Sequence, residues 1–126
     1  MNNYKNLKIW QESIEVVLDI YQITKSFPKE EMYGLTSQLR RAAISIPSNI
    51  SEGACRNNDK EFKQFLGIAS GSAGEADTQL FIAKKLEYIT EENYRELSAK
   101  LDNIQKKNFN LQKRILESNA KLKTQD

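Results

Sequence analysis

Apolar residues recur at alternating intervals of three and four along four separate segments of this chain, and polar, Pro- or Gly-containing breaks divide the segments. That spacing gathers them on one side of an α-helix, and a chain with four such sides can bury them only helix against helix. No stretch alternates with the period of two that a half-buried strand requires. Only five Gly and two Pro occur in 126 residues, with 39% hydrophobic and 29% charged, which argues against a disordered chain and against a loop-rich sandwich. The expected fold is all-α, an antiparallel up-down-up-down four-helix bundle in a single domain, 1–126, with its core over about 7–120 and a fraying charged tail, Lys121 to Asp126.

The first segment, about Leu7 to Phe27, carries two stripes. Trp10, Ile14, Val17, Tyr21 and Thr24 read as the core stripe, and Ile9, Val16, Ile20, Ile23 and Phe27 lie about 100° round the same helix. Together they exceed what one bundle core consumes, so either a neighbouring helix or terminus covers the excess, or a second subunit does. Pro28 to Gly34 makes the connection. The second helix opens near Leu35 and buries Leu39, Ala42, Ala43, Ile46, Ile50 and Ala54, with Arg41, Ser45, Ser48 and Glu52 on its other side. Pro47 interrupts it by removing a donor to Ala43, which predicts a bend there, the alternative being a break into two short helices.

Asn58 with Glu61 three residues on forms a capping box for a third helix, about Asp59 to Leu86. Its apolar repeat is Phe62, Leu66, Ala69, Ala73, Ala76, Leu80 and Ala83, and Gly67, Gly71 and Gly74 stand among the small residues of its middle. Each Gly costs about 1 kcal/mol of helix propensity against Ala, so a closely approaching backbone is the expected compensation. A phosphate-binding loop lacks both its strand and its Gly-Lys-Ser/Thr ending. Thr90 caps the fourth helix, with Glu91 and Glu92 in its first turn and Tyr94, Leu97, Leu101, Ile104, Asn108, Leu111, Ile115 and Leu122 along its seam. Asn108 either pairs with a buried polar group and fixes register or sits where the core thins. Phe109 and Leu116 stand beside the seam, seven residues apart.

The sequence has no His and one Cys, Cys55. Zinc sites of the Cys/His type, His general bases, Ser-His-Asp and Cys-His triads and internal disulfides are thereby excluded. Glu75 and Asp77 diverge on a helix, so no metal, cofactor or catalytic residue is assigned. No run approaches the roughly 20 apolar residues of a membrane span, and the charged start lacks a signal peptide's apolar stretch, which makes the cytoplasm the expected location. Glu52 and Glu75 read as structural polar residues, Glu75 pairing with an arginine across helices two and three. Net charge is only +2, yet Lys100, Lys106, Lys107, Lys113, Arg114, Lys121 and Lys123 face only Asp102 and Glu117 along the second half of helix four. That basic rod suits phosphates, with Lys106, Lys107, Lys113 and Arg114 as first candidates and Arg40 and Arg41 as second. Its alternative is a solvated helix exterior.

The residues LKIWQESIEVVLDIYQITKSFPKEEMYGLTSQLRRAAISIPSNISEGACR, followed by KEFKQFLGIASGSAGEADTQLFIAKKL, resemble the bacterial four-helix-bundle family encoded in intervening sequences of 23S rRNA genes. The resemblance is strong from Leu7 to Leu86, is most specific in YGLTSQLRRAAISIPSNISEG, and extends to helix four by pattern alone. The family is in turn similar to the accessory variability determinant of diversity-generating retroelements, a basic protein that forms a pentameric barrel and binds nucleic acid and its reverse transcriptase. This resemblance implies a pentameric homo-oligomer and supplies no enzymatic reaction. It places Ile9, Val16, Ile20, Ile23, Phe109 and Leu116 at the expected subunit interface. The function expected is a non-enzymatic ring-forming adaptor that engages RNA, or a protein bound to RNA, through helix four. The alternative is a purely protein-binding or self-assembling scaffold.

Overall fold

The computed structural model describes the backbone of residues 3–125 and the side chains of residues 3–117. The Leu122 seam position, the basic Lys121 and Lys123 and the fraying tail lie outside the described side chains. Four helices, α1 (Lys8–Thr24), α2 (Leu35–Ala54), α3 (Asp59–Lys85) and α4 (Glu91–Gln125), form the fold, with short 3-10 turns at Tyr4–Asn6 and Lys29–Glu31 and no strand among the described residues.

Local chemistry sets the helix ends. Asn58 Oδ1 accepts from the Glu61 amide at 2.8 Å, and Asn58 Nδ2 donates back to Glu61 Oε2 at 3.0 Å. Thr90 Oγ1 accepts from the Asn93 amide at 3.0 Å, capping α4. Helix α3 closes with the Tyr88 amide on the Ala83 carbonyl and the Glu87 amide on that of Lys84, both at 2.9 Å. Glu87 takes the left-handed conformation, φ 64°, that this closure requires. The Glu31 carboxylate caps the Leu35 amide at 3.1 Å and accepts from the Tyr88 hydroxyl at 2.8 Å, tying the first and third connections together.

Each helix packs on its sequence neighbours and α1 also packs on α4, while the diagonal pairs do not touch. Cross-helix bonds give the directions. Asp19 meets Lys100 and Glu12 meets Lys107, so α1 and α4 run oppositely. Ser45 meets Ser72 in α2 and α3, and Leu66, Ser70 and Lys84 meet Asn108, Gln105 and Glu91 in α3 and α4. Arg40 meets Thr24 where α1 ends.

The core contains Leu39, Ile46 and Ile50 of α2, Leu66, Ala69, Ala73, Ala76 and Leu80 of α3, and Leu97, Leu101 and Ile104 of α4. From α1 it takes Ile9, Val16 and Ile20, which are 3%, 1% and 0% exposed. These three therefore belong to the chain's own core and do not form an interface, while Trp10, Ile14, Val17 and Tyr21, expected inside, are only half-buried. Ser13 is buried with Ile9, Val16 and Ile20. Its hydroxyl donates to the Trp10 carbonyl at 2.8 Å, so a satisfied, slim polar residue can accompany three aliphatics into the centre. Ile23 packs partly buried against the same core.

Helix α2 continues unbroken through Pro47, whose ring is buried. The small middle of α3 does lie close against α2, with Ala69, Ala73 and Ala76 buried and Ser72 Oγ 2.8 Å from Ser45 Oγ, but Gly67, Gly71 and Gly74 take no part in that approach, since a Cβ on any of them would meet nothing within 4 Å. Among the glycines the approach occurs at Gly53, where an added Cβ would lie 2.6 Å from Phe65 Cβ and 3.2 Å from the Phe62 carbonyl oxygen. Alanines, not glycines, line the inner side of α3.

Candidate interaction surface

The basic rod on α4 is largely engaged within the chain. Lys107 pairs with Glu12 across to α1, and Lys106 pairs with Asp102 one turn back at 3.2 Å. Lys100 Nζ donates to Asp19 at 2.7 Å, a bond that holds its pKa above the ordinary lysine value. Arg40 is also spent. Its Nε donates to Thr24 Oγ1 at 2.8 Å, and its guanidinium lies 4.5 Å from the centre of the Tyr21 ring. These contacts make Lys107 and Arg40 interhelical ties. Lys113, Arg114 and Arg41 are exposed without a carboxylate partner among the described residues, and Lys113 Nζ lies 5.9 Å from the Phe109 ring centre. The structure therefore does not bring the six basic candidates together as one phosphate-ready patch.

Other polar residues also take definite places. Asn108 is 2% exposed; its Nδ2 donates to the Leu66 carbonyl and its Oδ1 accepts from Gln112, each at 2.9 Å. Beside it, Ser70 Oγ donates to Gln105 Oε1 at 2.9 Å and Gln105 Nε2 donates to the Ser70 carbonyl at 2.8 Å. This polar seam pins α3 to α4, so the buried partner of Asn108 is backbone. Both readings of Asn108 hold, because Leu111 and Ile115 beyond it are only half-buried. Glu52 pairs with Arg56 on the surface at 2.7 Å. Glu75 is exposed and accepts from Gln79 at 3.3 Å, with no arginine opposite, so its expected cross-helix ion pair is not formed. No group of three or more Cys, Asp or Glu among the described residues could hold a metal.

The bundle also leaves large apolar side chains outside. Leu18 is 64% exposed and Phe109 63%, and Leu116, Ile44 and Ile68 are also exposed. Phe109 and Leu116 stand where the seven-residue spacing put them. Leu18 and Ile44 were missed by sequence reasoning, although each is a large aliphatic on the polar side of its own helix. Tyr4, Trp10, Ile14, Val17, Ile44 and Pro47 line a shallow groove of about 280 Å³ between α1 and α2. On the opposite side a groove of about 410 Å³ runs between α3 and α4 over Ala73, Gly74, Ser98 and Ala99. Asp77 lines it, and its Oδ1 is shielded from solvent with no hydrogen-bond donor.

A bundle with these elements matches the model of the 23S rRNA-intervening sequence proteins over residues 5–110. The chain belongs to that family. Its fold is shared by a protein of unknown function of the S23 ribosomal protein family from Bacteroides thetaiotaomicron VPI-5482, with TM-score 0.77 and 25% identity over 83% of this chain and 98% of that one. None of the curated proteins matches. The family match spans Ser70, Gln105 and Asn108 of the α3–α4 seam, Pro47, Gly53 and the α3/α4 groove, and leaves out Tyr4 of the α1/α2 groove and the α4 positions of Gln112, Lys113, Arg114 and Leu116. No described helix is long and apolar enough to cross a membrane.

Proposed function

We propose that this protein is a non-enzymatic scaffold that assembles with copies of itself into a homo-oligomeric ring. One observation carries the reading. Large aliphatic and aromatic side chains, Leu18 and Phe109 among them, stand exposed on the outer faces of the helices, while Lys100, Lys107, Arg40, Gln105 and Asn108 are tied into contacts between helices. Apolar groups grouped on a surface mark sites of association. The alternative of an RNA-binding adaptor retains Lys113, Arg114 and Arg41, too few exposed cations for strong phosphate binding on their own. Five copies is the number the family resemblance implies, and it sets the size to look for.

Native mass spectrometry of the purified protein tests this. The expected result is one species at an integer multiple of the 14.5 kDa chain, five by the resemblance, without the added mass of nucleic acid. A monomer alone overturns self-assembly. An oligomer that carries RNA and loses it in Lys113→Glu/Arg114→Glu restores the adaptor reading.

A further inference from the structure

Two faces left unpartnered by the fold complement each other. On the outer face of α1 and α2, at the edge of the shallow groove that Trp10 lines, Leu18 and Ile44 stand exposed as a ridge, and the cation Arg41, one turn before Ile44, has no carboxylate partner among the described residues. The groove between α3 and α4 is its counterpart. It is floored by Ala73, Gly74, Ser98 and Ala99, a Cβ at Gly74 would meet nothing, and the Asp77 oxygen within it lacks a donor. One face has knobs and an unpaired cation, and the other has a hole and an unpaired anion. Helices α1 and α2 lie across the bundle from α3 and α4, because only sequence neighbours and the α1–α4 pair touch. The two faces thus point away from each other.

Their heights along the bundle also agree. Ser45 meets Ser72 in antiparallel helices, so each step forward on α2 is a step back on α3. Ile44 then stands level with Ala73, and Arg41 with Ala76, next to Asp77. The pairs Asp19 with Lys100 and Glu12 with Lys107 set the scale for α1 and α4. They put Leu18 level with Leu101, within a turn of Ser98 and Ala99, and Trp10 level with Phe109.

We propose that the α1/α2 ridge of one copy seats in the α3/α4 groove of the next, with Leu18 and Ile44 over the small residues and Arg41 donating to Asp77. The proposal rests on the self-assembly reading above. Because the matching groups share heights, the contact carries little shift along the bundle, so copies add side by side instead of climbing into a helical filament, and a fixed turn at each contact is what closes such an array into a ring. It also accounts for Gly74. A helix gives up propensity at an exposed Gly, and a groove that admits another backbone needs the missing side chain.

Light scattering of the full-length chain over a range of concentrations tests it, with helical circular dichroism as the folding control. Gly74→Leu fills the groove without touching the chain's own core, and it should raise the apparent dissociation constant of the assembly at least tenfold while helicity is kept. Arg41→Asp and Asp77→Arg should each weaken assembly, and the double exchange should restore it toward the native value. If the native chain assembles and Gly74→Leu and both charge variants assemble equally well, this interface is wrong while self-assembly stands. A native chain that is monomeric throughout removes both.

Discussion

Gly53, in the last turn of α2, and Gly74, in the middle of α3, both stand next to an alanine and do opposite things. At Gly53 the backbone of α2 lies against Phe62 and Phe65, and a methyl group would have to displace a Cβ and a carbonyl oxygen. Gly53→Ala should therefore destabilise the fold by about 1–3 kcal/mol in urea denaturation, the usual cost of overpacking, despite the gain in helix propensity. Gly74→Ala should stabilise it by up to about 1 kcal/mol, since nothing opposes the gain. Equal effects of the two would contradict the packing described here. The sequence marks where glycines depart from helix propensity but not which of them is crowded, because crowding depends on the neighbouring helix. For the same reason Asn108 was legible as a polar interruption of an apolar seam, while its partner, the Leu66 carbonyl, was not, since every helical carbonyl looks alike in sequence.

At the scale of the elements, four helices and their caps at Asn58 and Thr90 could be read from spacing and capping chemistry, both of which are local. The inward face of α1 was read the wrong way round. Two stripes of similar apolar content compete there, and the choice is made by how α2 and α4 pack on α1, which the sequence of α1 alone does not contain. Long-range ion pairs were equally hidden: Lys100 and Lys107 look like parts of a basic rod until α1 brings Asp19 and Glu12 beside them.

These ties give stability a defined pH dependence. Glu91, hydrogen-bonded by Lys84, has its pKa held below the ordinary 4.5, so its contribution is present above 4.5 and is lost as pH falls through the lowered folded value. Lys100, bonded to Asp19, is raised above 10.5, and its contribution is present below 10.5 and lost as pH rises through the higher folded value. Tyr88, whose hydroxyl donates to Glu31, is raised above 10.0 and adds to the alkaline loss. Thermal melts should thus show little change from these groups between those limits and a fall at both ends, and Glu91→Gln should flatten the acid limb while leaving the alkaline limb intact. An acid limb unaltered by Glu91→Gln would contradict the role given to the Lys84 contact.

For the molecule as a whole, the sequence disclosed an excess of apolar surface and a family, and the fold decides where the excess lies. Ile9, Val16 and Ile20 are consumed inside. Leu18, Ile44, Phe109 and Leu116 remain outside, and so does half of Trp10. The basic surface contracts as the apolar one gains definition, and this moves the functional reading from nucleic acid toward self-assembly. Net charge and residue lists could not show that, because two of the α4 lysines, Lys100 and Lys107, are paired with α1 carboxylates that only the folded chain brings near. Trp10 reports on the outcome directly. It is the single tryptophan of the chain and lines the outer groove of α1 and α2, on the face held to be covered by the next copy. Quenching of its fluorescence by acrylamide, followed as the protein is diluted through the concentration at which its molar mass falls, should increase as the assembly dissociates while helicity is unchanged. Quenching that stays constant while the molar mass falls would contradict the account, because assembly would then use faces other than the ones the fold leaves bare here.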